Sequence, residues 1–525
     1  MTARRLLLAF LAALTLLRLL IIGQIELSPD EAYYFQWSER LDWSYFSKGP
    51  GVATAMWLST NLFGISEFGV RVLSPLLALG TSLLMLSFAR RLYGESVAIW
   101  TVLMINVIPI FSVGGLVLTI DPLSIFFWMA ALYTVWLALE RSPDFSLWWP
   151  ATGALIGLGF LAKYTNAMQL LSILLLLAVT PKYRRELGRR GFYTMLGTFL
   201  VFTAPPIIWN AQHDWITLHH LTARGGLGTA AKFDPMEFLA FLGAHFGVYS
   251  PILFGGMLVA IFWSWKRVAV YFKSRFLLAF TLPLFALYLA LSFKQAGEAN
   301  WTAPATMSLG LLAVALWHDR AQEHRWARRI AFAGLLVAFA MSLVTVDTEL
   351  PRRLGIPLSY DLDPSARLRG WRSASEKLEE VRNEFEAAHG QPVFLIANKY
   401  GTAASLAFYL RDRRAQGPGH PPIYVPESAF PENQYYFWPR YDENVEAPAG
   451  NNPEQTYYTE EGGSNPFLGR TALYVTDRAE ERPPSSIKRG FERVEMIRCI
   501  DFSRRGLPLR QLRVFACYNY RQVSL

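Results

Sequence analysis

The chain has 525 residues, of which 52% are hydrophobic, 14% aromatic and only 17% charged. That balance excludes a disordered chain and an ordinary water-soluble enzyme. Its net charge of +9 falls in short clusters between apolar runs, which fits lipid headgroups rather than nucleic acid.

The first apolar run, residues 6–23, follows Arg4-Arg5. It reads as a membrane span rather than a cleaved signal peptide, because no small-x-small site follows Ile22 and further spans come after it. About eleven spans are expected, near 6–23, 68–88, 96–114, 121–139, 148–162, 164–180, 192–209, 239–264, 276–293, 301–317 and 330–346. Arg18, inside the first, is expected to snorkel outward or to pair with an acid such as Glu26.

After the first span comes Ser28-Pro29-Asp30-Glu31. Ser28 as N-cap, Pro29 at the first helical position and Glu31 at the third spell a capping box, which accounts for Glu31 and less well for Asp30. Asp30 is therefore the carboxylate left for chemistry, with Glu31 beside it. Tyr33 and Tyr34 lie within a turn of the acids and are candidates for lining a substrate cleft, whereas Phe35 and Trp37 read as interfacial anchors.

Lys48, in Tyr45-Phe-Ser-Lys-Gly-Pro50, sits among residues that turn tightly and let backbone approach a ligand, so a phosphate partner is expected. Asp121 opens a span in Thr119-Ile-Asp-Pro122, either as N-cap or as a functional group facing a cavity. Lys163-Tyr164 marks another span boundary, where snorkelling is the plain alternative to function. The loop 210–238 gathers His213, His219, His220 and Arg224 followed by Gly225-Gly226. Its spacing fits no zinc motif, and Arg224 before two glycines suits phosphate. Glu298 and Asn300 form a polar cluster at the start of the tenth span, with Trp301 read as an aromatic-belt residue.

Lysine and arginine concentrate in alternate loops, including 182–190, 266–275 and 325–329. That side is assigned to the cytoplasm together with the N-terminus, and the candidate residues lie opposite. Two domains follow: a membrane domain, residues 1–346, and an extracytoplasmic soluble domain, residues 347–525. The latter reads as mixed α/β, with helices around 373–388 and 402–410, strand-like runs at 392–397, 471–475 and 512–517, and long loops through 417–463. Cys499 and Cys517 are either a disulfide or two thiols. No Walker A, dinucleotide fingerprint or nucleophile elbow occurs in a sensible context, so a nucleotide-driven reaction is unsupported.

The ordered set Asp30-Glu31, Tyr45 to Pro50, Thr119 to Pro122, Gly159 to Tyr164, Asn210 to Trp215, Arg224-Gly225 and Glu298 to Pro304 resembles the GT-C superfamily of membrane glycosyltransferases. Within it the set is similar to bacterial family 39-like proteins, related to protein O-mannosyltransferases and the lipid A aminoarabinose transferase. The resemblance covers roughly residues 1–320. It implies a GT-C-like multi-pass fold in the bacterial inner membrane with a periplasmic C-terminal domain. It also implies an inverting transfer of sugar from a polyprenyl-phosphate donor to an extracytoplasmic lipid A, lipid-linked glycan or protein acceptor, without cofactor or metal.

By the same resemblance, Asp30 maps onto the general base with Glu31 beside it, Lys48 onto the donor-phosphate contact and Asp121 onto the second-loop acid. The aminoarabinose transferases carry an arginine shortly after the acidic pair where this chain has Tyr33-Tyr34; Arg224 or Lys163 would supply that charge. The rival from another class is a transporter or flippase of a lipid-linked substrate, which calls for polar residues at the membrane midplane rather than at one face.

Overall fold

The computed structural model describes residues 3–224, 233–265, 268–356, 358–446, 457–459, 464–478 and 482–522. The chain divides into two compact units: Met1–Gln24 with Arg40–Gly355, and Ile25–Glu39 with Ile356–Leu525. The segment that carries Asp30 thus packs with the C-terminal residues rather than with the helices on either side of it in sequence.

The first unit is helical. Among the described residues, six helices are long and apolar enough to cross a membrane: Ala3–Gln24, Glu67–Tyr93, Ile120–Glu140, Arg190–Gln212, Ala299–Glu323 and Arg325–Val346. Two bent pairs raise the number to eight, and Glu95–Val107, Trp148–Ala162 and Tyr164–Val179 are apolar but shorter. Every run expected from the sequence coincides with one of these segments, but length and composition do not establish eleven crossings.

The expected span 239–264 is not one helix. Pro235–Tyr249 and Pro251–Trp265 meet at 115°, because Ser250 takes a positive φ of 74° ahead of Pro251, which lacks an amide hydrogen and disfavours helical backbone in the residue before it. Pro205 and Pro206, by contrast, lie inside Arg190–Gln212, as neighbouring groups in a bundle allow. Arg18 does not snorkel outward. It is buried, and a Cβ on Gly115 would lie 2.7 Å from its guanidinium carbon. Trp128, Trp149, Phe276 and Met307 are among the buried side chains of the unit's core.

The second unit is α/β. Its strands are β1 (Phe394–Ala397), β2 (Asn444–Glu446), β3 (Tyr457–Thr459), β4 (Ala472–Thr476), β5 (Phe491–Arg504) and β6 (Leu507–Tyr520). They form a four-stranded sheet in the order β1-β4-β6-β5, parallel between β1 and β4 and antiparallel elsewhere, and a separate β2-β3 pair. β1 and β4 are buried throughout, as short apolar runs should be.

Helices Trp371–His389 and Tyr400–Tyr409 match the two expected there. Glu26 accepts from the amides of Trp371 at 2.6 Å and Arg372 at 3.4 Å, and so caps the first of them. Cys499 is exposed on β5 opposite Arg513, while Cys517 is buried on β6 opposite Val494. Both are free thiols.

Candidate functional site

Lys48 sits in a turn of the first unit closed by the Tyr45 amide, which donates to the Lys48 carbonyl at 3.0 Å. Glycine is required here for close approach. A Cβ at Gly51 would lie 2.8 Å from the Ala162 nitrogen, and one at Gly49 would overlap the Leu161 carbonyl. The turn therefore lies against the end of helix Trp148–Ala162, immediately before Lys163-Tyr164. Ser44 Oγ and the Tyr164 hydroxyl are 3.0 Å apart, and Thr217 Oγ1 donates to the Tyr45 carbonyl at 3.1 Å.

Asp121 is not the N-cap of its helix; Thr119 is, accepting the Asp121 amide at 3.3 Å. Both Asp121 oxygens are engaged instead. Lys163 Nζ donates to Oδ1 at 2.8 Å and Asn300 Nδ2 to Oδ2 at 2.6 Å. Lys163 does not snorkel: its side chain is 8% exposed and that of Asp121 18%. A buried charge of this kind is stable only with a close partner and further hydrogen bonds, and the Asn300 amide supplies the second.

Next to Asn300, Trp301 lies under the Arg224 guanidinium, 5.6 Å from ring centre to Cζ, and 5.2 Å from the Tyr288 ring. One turn before Arg224, His220 packs on Phe46 at 4.7 Å. Burial, then Lys48, then Arg224 push its imidazole down to about 4, so it is neutral at physiological pH. Lys48, Asp121, Lys163, Tyr164, Arg224 and Asn300 thus belong to one connected region of the first unit. Gly225 and Gly226, expected to form a phosphate turn with Arg224, lie outside the described residues.

His213 stacks on Trp209 at 3.9 Å, and the Trp209 indole donates to Asp42 Oδ2 at 2.8 Å. Together they tie the end of helix Arg190–Gln212 to the loop that holds Asp42. Glu298 is exposed.

The remaining candidates lie in the second unit. The capping box forms as spelled: the Ser28 amide donates to Glu31 Oε2 at 2.9 Å and the Glu31 amide to Ser28 Oγ at 3.2 Å. Glu31 is fully buried by it. Asp30, one residue earlier, is exposed. Tyr33 and Tyr34 are buried, and Tyr33 packs between Trp37, Tyr400 and Tyr435 while its hydroxyl accepts the Gln434 amide at 2.6 Å. Burial pushes that phenol well up from its ordinary value.

Sequence reading did not single out Ser44, Phe46, His220, Tyr288 or Trp301 for the site. Phe46 lies inside the Lys48 motif, and His220 one turn before Arg224. Tyr288 lies in the apolar helix Leu282–Ser292 and carries no sequence signal.

A family model for dolichyl-phosphate-mannose-protein mannosyltransferases matches residues 47–209. The lipid A galacturonosyltransferase RgtD of Rhizobium johnstonii is 26% identical over 403 residues, which is 76% of this chain and 81% of that protein. Among solved structures, ArnT of Cupriavidus metallidurans bound to undecaprenyl phosphate superposes with a TM-score of 0.61, at 17% identity and 97% coverage of both chains. The same protein in the apo state gives 0.58, at 16% identity and 98% coverage of both. The fold is shared along the whole chain.

Proposed function

We propose that the chain is a GT-C membrane glycosyltransferase, as its similarity to such proteins supports, and that it transfers a sugar, with inversion, from a polyprenyl-phosphate donor to an extracytoplasmic acceptor. The observation that carries this reading is the convergence of Lys48, Arg224 and a neutral His220 beside the Asp121–Lys163–Asn300 network. Burial first, and then the two nearby cations, hold His220 neutral, and those cations suit a phosphate.

In this reading the roles proposed from the sequence are kept. Asp30 takes the proton of the acceptor hydroxyl as its oxygen attacks the anomeric carbon. The bond from that carbon to the phosphate oxygen breaks, and Lys48 and Arg224 meet the charge developing on the departing lipid phosphate. Asp121, held by Lys163 and Asn300, is a positioning residue that fixes the end of helix Trp148–Ala162 on which the Lys48 turn rests. Lysine and arginine carry out the neutralisation, so chelators should leave the rate unchanged; loss on chelation with recovery on adding a divalent ion overturns that part.

RgtD is named for lipid A, which makes lipid A the acceptor to test first, in the inner membrane of a Gram-negative cell. The experiment is mass spectrometry of lipid A, envelope glycolipids and envelope proteins from a deletion strain, followed by transfer with purified enzyme and synthetic polyprenyl-phosphate sugars. Loss of one sugar from one of these classes, restored by the intact gene but not by Asp30→Asn, is the expected result. An unchanged envelope together with no transfer from any such donor overturns the reading.

A further inference from the structure

Away from this region, the first unit carries an apolar groove between four helices, lined by Trp100, Ile252, Ala313, Trp317, Ile330 and Leu335 among others, with no charged side chain in its wall. Gly256 opens it. The Gly256 carbonyl accepts the Trp317 indole hydrogen at 3.0 Å, and a Cβ there would lie 3.2 Å from that nitrogen. The bond holds the Trp317 ring against the groove.

One end of the groove is ringed by tryptophan and arginine. Trp317 lies 5.3 Å from Trp263 and 6.1 Å from Trp326, and the Arg320 guanidinium covers Trp263 at 5.0 Å. The connection from Ala303–Glu323 to Arg325–Val346 adds Arg325, Arg328 and Arg329, all exposed and none in an ion pair among the described residues. The nearby acids Asp319 and Glu323 stand next to His318 and His324 at 3.9 and 3.8 Å, not next to these arginines. Tryptophans of this kind mark headgroup level, and Arg320 among them, with unpaired arginines in the connection that follows, suits a phosphodiester with acyl chains in the groove.

We propose that this groove is a specific site for an anionic glycerophospholipid, its acyl chain against Trp317 and Leu335 and its phosphate at Arg320, Arg328 and Arg329. By the charge count the lipid comes from the cytoplasmic leaflet, away from the transfer region. A zwitterionic lipid of equal chain length fills the groove equally well but offers the arginines no net charge. Preference between the two therefore separates a site from general lipid solvation.

The test is native mass spectrometry of the full-length protein titrated with phosphatidylglycerol or phosphatidylethanolamine of identical acyl chains. At least a fivefold preference for phosphatidylglycerol is expected, lost in R320Q/R328Q/R329Q. As a check that does not depend on that variant folding, phosphatidylglycerol brominated on its acyl chains should quench tryptophan fluorescence more than the ethanolamine lipid, with the difference reduced in Trp317→Phe. Equal binding of the two lipids, preference surviving the triple substitution, or displacement of phosphatidylglycerol by undecaprenyl phosphate overturns the proposal.

Discussion

One group in each unit that burial has driven toward neutrality, Glu427 in the second and His220 in the first, invites comparison, because their surroundings differ. In the second unit Glu427 is buried, with Oε1 accepting from the Tyr520 hydroxyl at 2.7 Å, and burial pushes its carboxyl up to about 7 against the opposing pull of that bond. Arg440, the cation nearby, is already paired to Asp442 through two bonds of 2.7 and 2.6 Å. In the first unit His220 is only partly buried, and the cations beside it, Lys48 and Arg224, add to the effect of burial. Glu427 lies in a packed domain where the nearby cation is already held by another carboxylate. His220 instead has Lys48 and Arg224 beside it, cations suited to an anionic ligand, and that difference separates a structural group from a candidate binding group.

The largest effects should come from the residues proposed to act in transfer, Lys48 in the first unit and Asp30 in the second. Lys48→Ala removes the charge that meets the phosphate and should raise the KM for a polyprenyl-phosphate sugar by at least about tenfold, the scale of one charge-assisted hydrogen bond. Asp30→Asn should lower kcat by about 10² to 10⁴ with thermal stability unchanged, as expected on losing a general base. Full activity in either variant means that the corresponding role is wrong. A Lys48→Ala defect that appears in stability alone would make the first cluster as structural as the second.

The Asp121–Lys163 pair comes next. Asp121→Ala leaves the Lys163 ammonium buried without its carboxylate, which should cost about 3–5 kcal/mol of stability. Adding Lys163→Met should restore part of the loss, since the second change removes the stranded charge. A thermal-unfolding cycle in detergent reads this directly, and additive losses would rule out a buried pair. Activity should stay low even where stability returns, because the support beneath the Lys48 turn is changed.

Much of this was legible in the sequence, for reasons that differ from place to place. The capping box at Ser28 and Glu31 is local physics, and local spelling predicts it. The apolar runs mark helices because the bilayer leaves backbone polar groups no other partner, yet the 115° break at Ser250-Pro251 was hidden inside one such run. The Asp121–Lys163–Asn300 network joins residues more than forty apart, so sequence gave the members and not the bonds. Packing of residues 25–39 with the C-terminal domain, which buries Tyr33 among Trp37, Tyr400 and Tyr435, leaves no trace in periodicity. His220 was visible as one of three histidines, but its neighbours Lys48 and Phe46 lie in a different loop.

Smaller effects should sharpen the comparison from the second unit. Glu427 binds its proton more tightly when folded, near 7, than when unfolded, near about 4.3. The stabilisation is therefore full below the unfolded value and is lost as pH rises through about 7. Glu427→Gln should remove this dependence and raise the melting temperature at pH 8 by a few degrees, about 2–4 °C for each kcal/mol recovered. Transfer activity at pH 7 should be unchanged, in keeping with a group that serves packing alone.

The smallest effect and the most discriminating belongs to His220. Its folded value near 4 lies below the unfolded value of about 6.5, so the unfolded chain binds the proton first. Stability from this group is present above about pH 6.5 and is lost as pH falls toward 4. A bound phosphate reverses the sign of the local field, favours the imidazolium and should lift the value. Thermal unfolding of the wild type at pH 5 should then gain more from added undecaprenyl phosphate than at pH 8, and His220→Gln should bring the two gains closer together. The same gain at both pH values in wild type and variant would mean that the anion binds away from His220.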